Sequence, residues 1–474
     1  MIDNLREAYN AESFRKEGHK LIDLLAGHLA KISNGEGKVL NWKTPYDQLK
    51  FWEEHIGSDH SLTDFFADVL DNSIAIHHPK YIGHQVGATA PVAALADLLG
   101  AMTNNGMAIY EMGAAGTAME KFVTGILCRQ VGFGDNADGF ITSGGTLANL
   151  TALLAARKAM SERDVWQDGH KEKLGVMVST EAHYCIDRSL RIMGFGEEGI
   201  IKVPVDEMFR VNTGSMEQYL RKAAEEGIKV IAFAASAPST ATGIYDDLVE
   251  IGQFCQNHNL WFHVDGAHGG AAIFSSKYRN LLNGIEIADS VVIDAHKMMM
   301  APVLTTFLLF KNKVNSYATF HQKAKYLFDS QHDEEWYNYA RRTFECTKLM
   351  MSLKFYSIIK AHGLRIFDEY VTRQYDLGSS FAEIICQHPE FELFIPPDSN
   401  IVCFRYIREG LSENGLSDLN ARLRQQILEN GDFYIVQTQL KGTTWLRVSI
   451  MSPLTEVSTL RELLDYIVDL ADHI

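Results

Sequence analysis

Cysteine, proline and clustered positive charge are scarce in this sequence of 474 residues. Its six cysteines never occur at CxxC spacing, which argues against a disulfide framework and predicts buried thiols in a reducing compartment. The 44 Lys and Arg residues face 60 Asp and Glu residues, giving a formal charge of −16. A nucleic-acid partner is therefore not expected, because phosphate neutralisation needs clustered Lys and Arg.

Long apolar runs are also missing. The most apolar helical segment, residues 91–102, is interrupted by Asp97, and no run approaches the roughly 18 apolar residues that a membrane span needs. Residues 1–10 have neither the basic nor the apolar part of a secretory signal. We therefore expect a cytoplasmic protein without a membrane partner.

Periodic apolar residues, by contrast, are plentiful. Hydrophobic residues make up 46% of the chain and charged residues 22%, as in ordinary globular proteins. In residues 1–75 the apolar positions of the segment 15–32 fall on one helical face. This pattern predicts an N-terminal helical arm, packed either on its own domain or on a neighbouring subunit.

Residues 76–350 alternate between helical and strand-like patterns. Helices are predicted at 115–131, 147–160 and 246–257, and buried strands at 175–179, 229–235, 260–264, 290–293 and 305–310. This alternation predicts an α/β domain with a large, mostly parallel sheet and helices on both faces. Ligands of such sheets bind at the carboxyl ends of the strands.

Residues 351–474 have a different pattern. A helical stretch is predicted at 341–362, and the boundary between the two domains is expected somewhere within 341–365. Beyond it, strands predicted at 401–406, 433–437 and 444–450 alternate with helices at 419–429 and 460–472. We interpret this part as a smaller C-terminal α+β domain.

Four motifs lie at or just past the predicted strand ends. The first, residues 142–146 (TSGGT), precedes a helix, where free backbone N–H groups can hold an anion or simply cap the helix. It is not a Walker loop, because no Gly-Lys-Ser/Thr follows. In the second motif Asp265 ends a strand and could pair with a protonated ring nitrogen, Mg²⁺ or a ribose, or could cap a turn.

The other two motifs carry a lysine and a histidine. Lys297 follows the short strand 290–293, where burial would lower its pKa and favour a Schiff-base amine; the alternative is a surface lysine. His183 follows the strand 175–179 and could stack on an aromatic ligand, act as an acid or base, or be a turn residue. An anion site, a stacking histidine, a strand-end Asp and a strand-end Lys are together what pyridoxal 5′-phosphate requires.

The sequence resembles the group II pyridoxal-phosphate-dependent amino-acid decarboxylases, which act on glutamate, diaminobutyrate, aromatic amino acids or cysteine sulfinate. The stretches that carry the resemblance lie in the family order and are HPKYIGHQ at 78–85, TSGGTLANL at 142–150, EAHYC at 181–185, FHVDGAH at 262–268, DAHK at 294–297, RRTFECTK at 341–348 and LRVSIMSP at 446–453. The resemblance implies a fold-type I architecture with a seven-stranded sheet. It also implies an L-amino acid substrate and a homodimer with shared active sites.

The resemblance assigns roles to individual residues. Lys297 would form the Schiff base with the cofactor, and Asp265 would pair with the pyridine nitrogen. His183 would stack on one face of the ring and Ala267 would pack on the other. The residues implied in phosphate binding are Thr142, Ser143, Gly144, His296 and either Ser239 or Thr240.

Two further sets of residues concern substrate and product. His78, Pro79, Tyr81 and His84 match the segment that lines the family's substrate pocket. Tyr326 lies 29 residues after Lys297, where family members carry a loop tyrosine that protonates the product carbon. A tyrosine packed on a helix is the alternative for Tyr326.

The predicted reaction is α-decarboxylation of an L-amino acid. The sequence GHQ at 83–85 replaces bulkier aromatic residues and slightly favours a polar, diaminobutyrate- or glutamate-like substrate over an aromatic one. An aldehyde synthase, a lyase or a non-catalytic relative remains an alternative. A metal hydrolase built on His263, Asp265 and His268 lacks a second ligand cluster, and a nicotinamide dehydrogenase lacks an early GxGxxG.

Overall fold

The structure is a computed structural model that describes residues 2–57, 59–320 and 336–473. These residues divide into two compact units. The large unit comprises Thr89–Ser379 with Pro397–Ser399, and the small unit comprises the residues up to Ala88, Ser380–Pro396 and the residues from Asn400 onward. The division into residues 1–75, 76–350 and 351–474 stays a prediction.

Helices form wherever apolar residues repeat at helical spacing. Their bounds are α1 Ile2–Ala8, α2 Ala11–Ser33, α3 Pro45–His55, α4 Leu62–Asp71, α5 Pro91–Thr103, α6 Ala114–Val131, α7 Gly145–Met160, α8 Val165–Asp168, α9 Tyr184–Ile192, α10 Met216–Glu225, α11 Leu248–Asn257, α12 Ala295–Met298, α13 Lys313–Thr319, α14 Ser352–His362, α15 Arg365–Gln387, α16 Glu413–Asn430 and α17 Val457–Ala471. Among the described residues, no helix combines the length and apolar character required to cross a membrane.

The large unit is built on a sheet of seven strands. They are β1 Asp138–Thr142, β2 Lys173–Ser179, β3 Ile200–Val203, β4 Ile228–Ser236, β5 Trp261–Asp265, β6 Ser290–Asp294 and β7 Thr306–Phe310, in the spatial order β1-β7-β6-β5-β4-β2-β3. Among the described strands of this sheet, β7 alone runs opposite to the other six, and it pairs antiparallel with β1 and β6. Every residue of β1, β6 and β7 is buried, as expected for a sheet covered on both faces.

The small unit carries an antiparallel sheet. Its strands are β8 Phe391–Leu393, β9 Ile401–Tyr406, β10 Val436–Leu440 and β11 Thr443–Ser449, in the order β10-β11-β9-β8. Helix α16 packs on this sheet through buried leucines such as Leu419 and Leu423. The predicted α/β fold, with a large mostly parallel sheet and a smaller α+β part, is confirmed.

Three local predictions were wrong, and several elements were missed. The helix predicted at 341–362 begins only at Ser352, because Arg342 and Lys348 instead extend their side chains to buried acids beside β1. The strand predicted at 433–437 begins at Val436. Strands β1, β3 and β8 were not predicted, nor were several helices, among them α9, α10 and α15. Cys346 and Cys386 are exposed, whereas the other four cysteines are buried, and all six are free thiols.

Candidate active site

The carboxyl ends of the parallel strands surround a cavity of about 280 Å³ within the large unit. Strands β1, β5 and β6 end at Thr142, Asp265 and Asp294, and all three run in the same direction. The predicted residues that line this cavity are Ser143, Gly144, His183, Thr240, Asp265, Ala267, His296 and Lys297. The topology therefore brings together residues that lie up to 154 positions apart in the sequence.

One side of the cavity is the first turn of α7. Gly144 adopts φ +117°, a conformation that favours glycine, and α7 begins at the next residue. A Cβ atom at Gly145 would lie 3.4 Å from both carboxylate oxygens of Asp294 and 3.6 Å from the Cβ of Ala267. Two glycines thus leave room in front of the helix's free N–H groups, where an anion is stabilised.

The hydroxyls of this turn are already engaged. Thr142 is buried, does not line the cavity, and donates to the Gly144 carbonyl over 3.3 Å. Ser143 donates to Glu345 Oε1 over 2.6 Å. The Nδ1 atom of His296 lies 3.2 Å from the backbone nitrogen of Thr305, and the side chain is buried.

Asp265 is held by a chain of hydrogen bonds that runs through the sheet. Asn149 Nδ2 donates to Asp265 Oδ2 over 2.9 Å, and Asn149 Oδ1 lies 2.8 Å from His263 Nε2. His263 Nδ1 lies 2.8 Å from Ser290 Oγ, which accepts from the indole N–H of Trp261 at 2.9 Å. All donors and acceptors match when His263 is neutral, with its proton on Nε2.

The pKa of His263 agrees with this assignment. Complete burial lowers it to about 4, although the carboxylate of Asp265 acts in the opposite direction. Both ring nitrogens of His263 are already engaged in these hydrogen bonds. The structure therefore offers no support for a metal hydrolase built on His263, Asp265 and His268. The other oxygen of Asp265, Oδ1, accepts the backbone N–H of Ala267 over 3.1 Å.

Lys297 is paired with a buried carboxylate that the sequence reasoning did not single out. Its Nζ lies 3.1 Å from Asp294 Oδ2, and Asp294 also accepts from Thr306 Oγ1 at 2.5 Å. Burial acts to lower the pKa of Lys297, but Asp294 and Asp265 outweigh it, so the pKa is raised. The expected lowering of this pKa is thus wrong, because two carboxylates face the ammonium group.

His183 precedes the first residue of α9 and lines the same cavity. Its Nδ1 accepts the backbone N–H of Cys185 over 3.3 Å, so the neutral ring carries its proton on Nε2. Burial lowers the pKa of His183, and the carboxylate of Asp265 opposes this shift. Burial also raises the pKa of the Cys185 thiol to about 12, which keeps it protonated.

The remaining predicted residues fall elsewhere. Of the pair left open, Thr240 lines the cavity, whereas Ser239 is buried and accepts from the Thr242 hydroxyl over 3.3 Å. Tyr326 lies outside the described residues.

The predicted substrate-pocket segment belongs to the small unit and is not among the cavity residues. There Tyr81 stacks on Tyr434, with ring centroids 5.7 Å apart. His78 is buried and accepts the Lys80 N–H at 3.1 Å, while the Pro79 carbonyl accepts from Thr455 Oγ1 at 2.7 Å. Burial, together with the charges of Arg447 and Arg424, lowers the pKa of His84.

Asn149 and Asp294 contact Asp265 and Lys297, and sequence reasoning did not single them out. Asn149 stands one turn into a helix, where an asparagine looks like an ordinary polar residue. Asp294 ends a buried strand just as Asp265 does, and this shared position was the available signal.

The site fits a phosphorylated pyridine aldehyde. It joins a glycine-lined helix start, a carboxylate fixed for a ring nitrogen, a small side chain at Ala267 and an amine at Lys297 in one cavity. The Asp294 carboxylate lines the same cavity, and the volume of about 280 Å³ lies just below the range of roughly 300–1,000 Å³ that is typical of ligand pockets.

Comparison with known proteins agrees with this chemistry. Residues 60–407 match the model of the pyridoxal-dependent decarboxylase conserved domain. An aromatic-L-amino-acid decarboxylase of Bacillus atrophaeus is 27% identical over an alignment that covers 100% of this chain and 98% of that protein. An acidic amino acid decarboxylase of Homo sapiens is 27% identical, with 98% of this chain and 91% of that protein covered.

A solved structure is similar over nearly the whole chain. It is the glutamate decarboxylase domain of diaminobutyrate-pyruvate transaminase and L-2,4-diaminobutyrate decarboxylase from Vibrio parahaemolyticus, with a TM-score of 0.84 and 25% identity. The match covers 97% of this chain and 96% of that one. With the family match spanning well over half of its residues, this chain belongs to the pyridoxal-dependent amino-acid decarboxylases, which are carboxy-lyases.

Proposed function

We propose that this enzyme removes the α-carboxylate of an L-amino acid with a polar side chain, releasing CO₂ and the corresponding amine. The observation that carries the proposal is the shared cavity of Lys297, Asp265, His183 and the start of α7. Each of these groups matches one part of pyridoxal 5′-phosphate. The amine can react with the aldehyde, and the fixed carboxylate can pair with the ring nitrogen. The imidazole can stack on the ring face, and the start of the helix can bind the phosphate.

Residues of the large unit would hold the cofactor. The first turn of α7, with Ser143, Gly144, His296 and Thr240, supplies the phosphate site. The buried hydroxyl of Thr142 would support that turn rather than touch the phosphate, because it already bonds the Gly144 carbonyl. When bound, the cofactor supplies an electron sink for the pair of electrons left by the departing carboxylate.

The chain's own residues then control charge and protons. Asp265, fixed by Asn149 and by the Ala267 N–H, would pair with the ring nitrogen of the cofactor. Asp294 holds the Lys297 ammonium group at 3.1 Å and can keep a proton near Nζ. His183 remains neutral near pH 7, and its Nε2–H group can donate a hydrogen bond. We propose that Tyr326 protonates the product carbon, as the sequence predicts.

The substrate class is the finer part of the proposal. The positive charges of Arg424 and Arg447 act on His84. Positive charge at this place favours a substrate that carries an anionic group. Gln85 adds a buried Nε2 atom that has no hydrogen-bond partner among the described residues. Within the predicted diaminobutyrate- or glutamate-like class, these features suit the anionic glutamate-like side chain rather than the cationic diaminobutyrate side chain, and an aromatic substrate is the alternative, since one relative carries that name.

Product analysis on the holoenzyme tests the reaction. A panel of acidic, diamino, aromatic and small polar L-amino acids is supplied, and CO₂, amine, ammonia and peroxide are measured together. One polar substrate that gives CO₂ and amine in equal amounts is the expected result. CO₂ with aldehyde and peroxide would replace the proposal with an aldehyde synthase, and preference for an aromatic substrate would overturn the substrate class.

The assembly is proposed from the resemblance alone. A homodimer whose sites use both subunits is expected, and sedimentation of the holoenzyme at several concentrations measures it. A monomer that retains full activity would contradict shared sites. The cytoplasmic location stays a prediction.

A further inference from the structure

Three potential metal ligands converge in the small unit, and none of them is among the residues that line the cavity. His55 is the last residue of α3, His60 lies just before Ser61, which caps the start of α4, and Asp68 is on α4. Their ligand atoms are His55 Nε2, His60 Nδ1 and Asp68 Oδ2. The three distances between these atoms are 3.1, 3.3 and 3.4 Å.

These distances match one face of a tetrahedral zinc site. Zinc binds imidazole nitrogen and carboxylate oxygen at about 2.0–2.1 Å in tetrahedral geometry, which separates neighbouring ligand atoms by about 3.3 Å. An ion about 0.7 Å above the plane of the three atoms would therefore reach all of them at bonding distance without movement of the backbone. An octahedral ion at the same bond length needs ligand atoms closer together, at about 3.0 Å.

The surroundings also suit a cation. The His55 side chain is only 10% exposed and packs against the rings of Trp52 and Phe65, with centroid distances of 5.4 and 5.5 Å. It also lies at the carboxyl end of α3, where the helix dipole favours positive charge. The His60 side chain is 53% exposed, so the ion can enter and a water molecule can take the fourth position.

Two imidazoles and one carboxylate form the donor set that divalent zinc prefers over magnesium or calcium. We propose that His55, His60 and Asp68 bind one Zn²⁺ ion per chain, with water as the fourth ligand. The ion would link the end of α3 to α4 and to the residue that precedes its cap. This inference does not rest on the decarboxylase assignment.

Metal titration of the holoenzyme tests the site. Metal is removed with a chelator, the protein is equilibrated with buffered Zn²⁺, and bound zinc per chain is measured by atomic emission. The variants are His60→Ala, Asp68→Asn and the matched control His19→Ala, which removes an exposed histidine from α2. The cofactor is present in every sample, so any zinc that it binds is common to all of them.

The wild type and His19→Ala should each bind one Zn²⁺, and His60→Ala should bind at least tenfold more weakly. With Co²⁺ the wild type should show the strong visible bands of four-coordinate cobalt, and His60→Ala should not. If His60→Ala is unstable, Asp68→Asn gives the same comparison. Equal zinc binding by the wild type and both site variants would overturn the proposal, as would a wild type that binds none.

The same atoms can instead form two imidazole–carboxylate hydrogen bonds without an ion. A thermal melt separates the two possibilities, because a ligand that binds only the folded state raises Tm. Zn²⁺ should raise the Tm of the wild type and of His19→Ala but not that of His60→Ala. A Tm that does not respond to Zn²⁺ in the wild type would favour the hydrogen bonds alone.

Discussion

Replacing Asn149, which also lines the cavity, with alanine should damage the active site by releasing Asp265. Asn149 is buried on α7. Among the described residues, its amide alone connects Asp265 to the hydrogen bonds of His263, Ser290 and Trp261. The substitution removes the 2.9 Å bond to Asp265 Oδ2. It also leaves the Nε2 proton of the buried His263 without its acceptor.

The size of the effect follows from these two losses. A hydrogen bond to a charged group contributes about 1.5–3 kcal/mol, which corresponds to a decrease in kcat of about 10- to 100-fold if Asp265 turns away from the ring nitrogen. An unpaired buried donor costs about 1–3 kcal/mol of folding free energy. We therefore expect a lower kcat, a nearly unchanged KM and a lower Tm.

Steady-state kinetics and thermal melts of the holoenzyme measure both effects. Thr151→Ala is the matched control, because Thr151 is buried on the same helix and its hydroxyl has no hydrogen-bond partner among the described residues. This control should keep kcat within about twofold. A normal kcat in Asn149→Ala, with the cofactor fully bound, would refute the positioning role.

Three further predictions concern Asp265, Tyr326 and His263. Asp265→Ala should lower kcat by orders of magnitude while the protein still folds, and a normal kcat in steady-state assays would contradict its role. Tyr326→Phe should shift product from amine toward aldehyde, ammonia and peroxide, and clean amine in product analysis would remove Tyr326 from the proton path. The pKa of His263 is about 4 in the folded protein, against 6.5 for an exposed histidine. Its contribution to the free energy of unfolding is therefore constant above pH 6.5 and decreases by about 3 kcal/mol as the pH falls to 4. His263→Gln should remove this dependence of the unfolding free energy on pH. An unchanged pH dependence in the variant would show that His263 does not stay neutral.

The sequence predicted the central strands because their apolar runs are buried on both faces. Strands β2, β4, β5, β6 and β7 each overlap the predicted segment to within two residues at either end. Strand β1 was missed because its five residues begin with Asp-Gly, a pair typical of turns. Its Asp138 is instead buried and paired with Arg342, a contact 204 residues apart that periodicity does not reveal.

Prediction of the active site was limited in the same way, because the sequence does not reveal distances between side chains. Strand-end position and motif order predicted that Asp265, His183 and Lys297 would meet, and the structure places all three around one cavity. The raised pKa of Lys297 was not predicted because it depends on the distance to Asp294 and Asp265. The distinction between Ser239 and Thr240 likewise depends on which hydroxyl faces the cavity, and adjacent positions give no periodic signal for that.

Reduction of the holoenzyme with borohydride, followed by mass mapping of its peptides, tests the central claim most directly. The account predicts that the phosphopyridoxyl group is found on the peptide that contains Lys297 and that Lys297→Ala carries none. Both the described geometry and the resemblance single out this amine. Attachment to another lysine, or a Lys297→Ala variant that still releases CO₂ at the wild-type rate, would contradict the account.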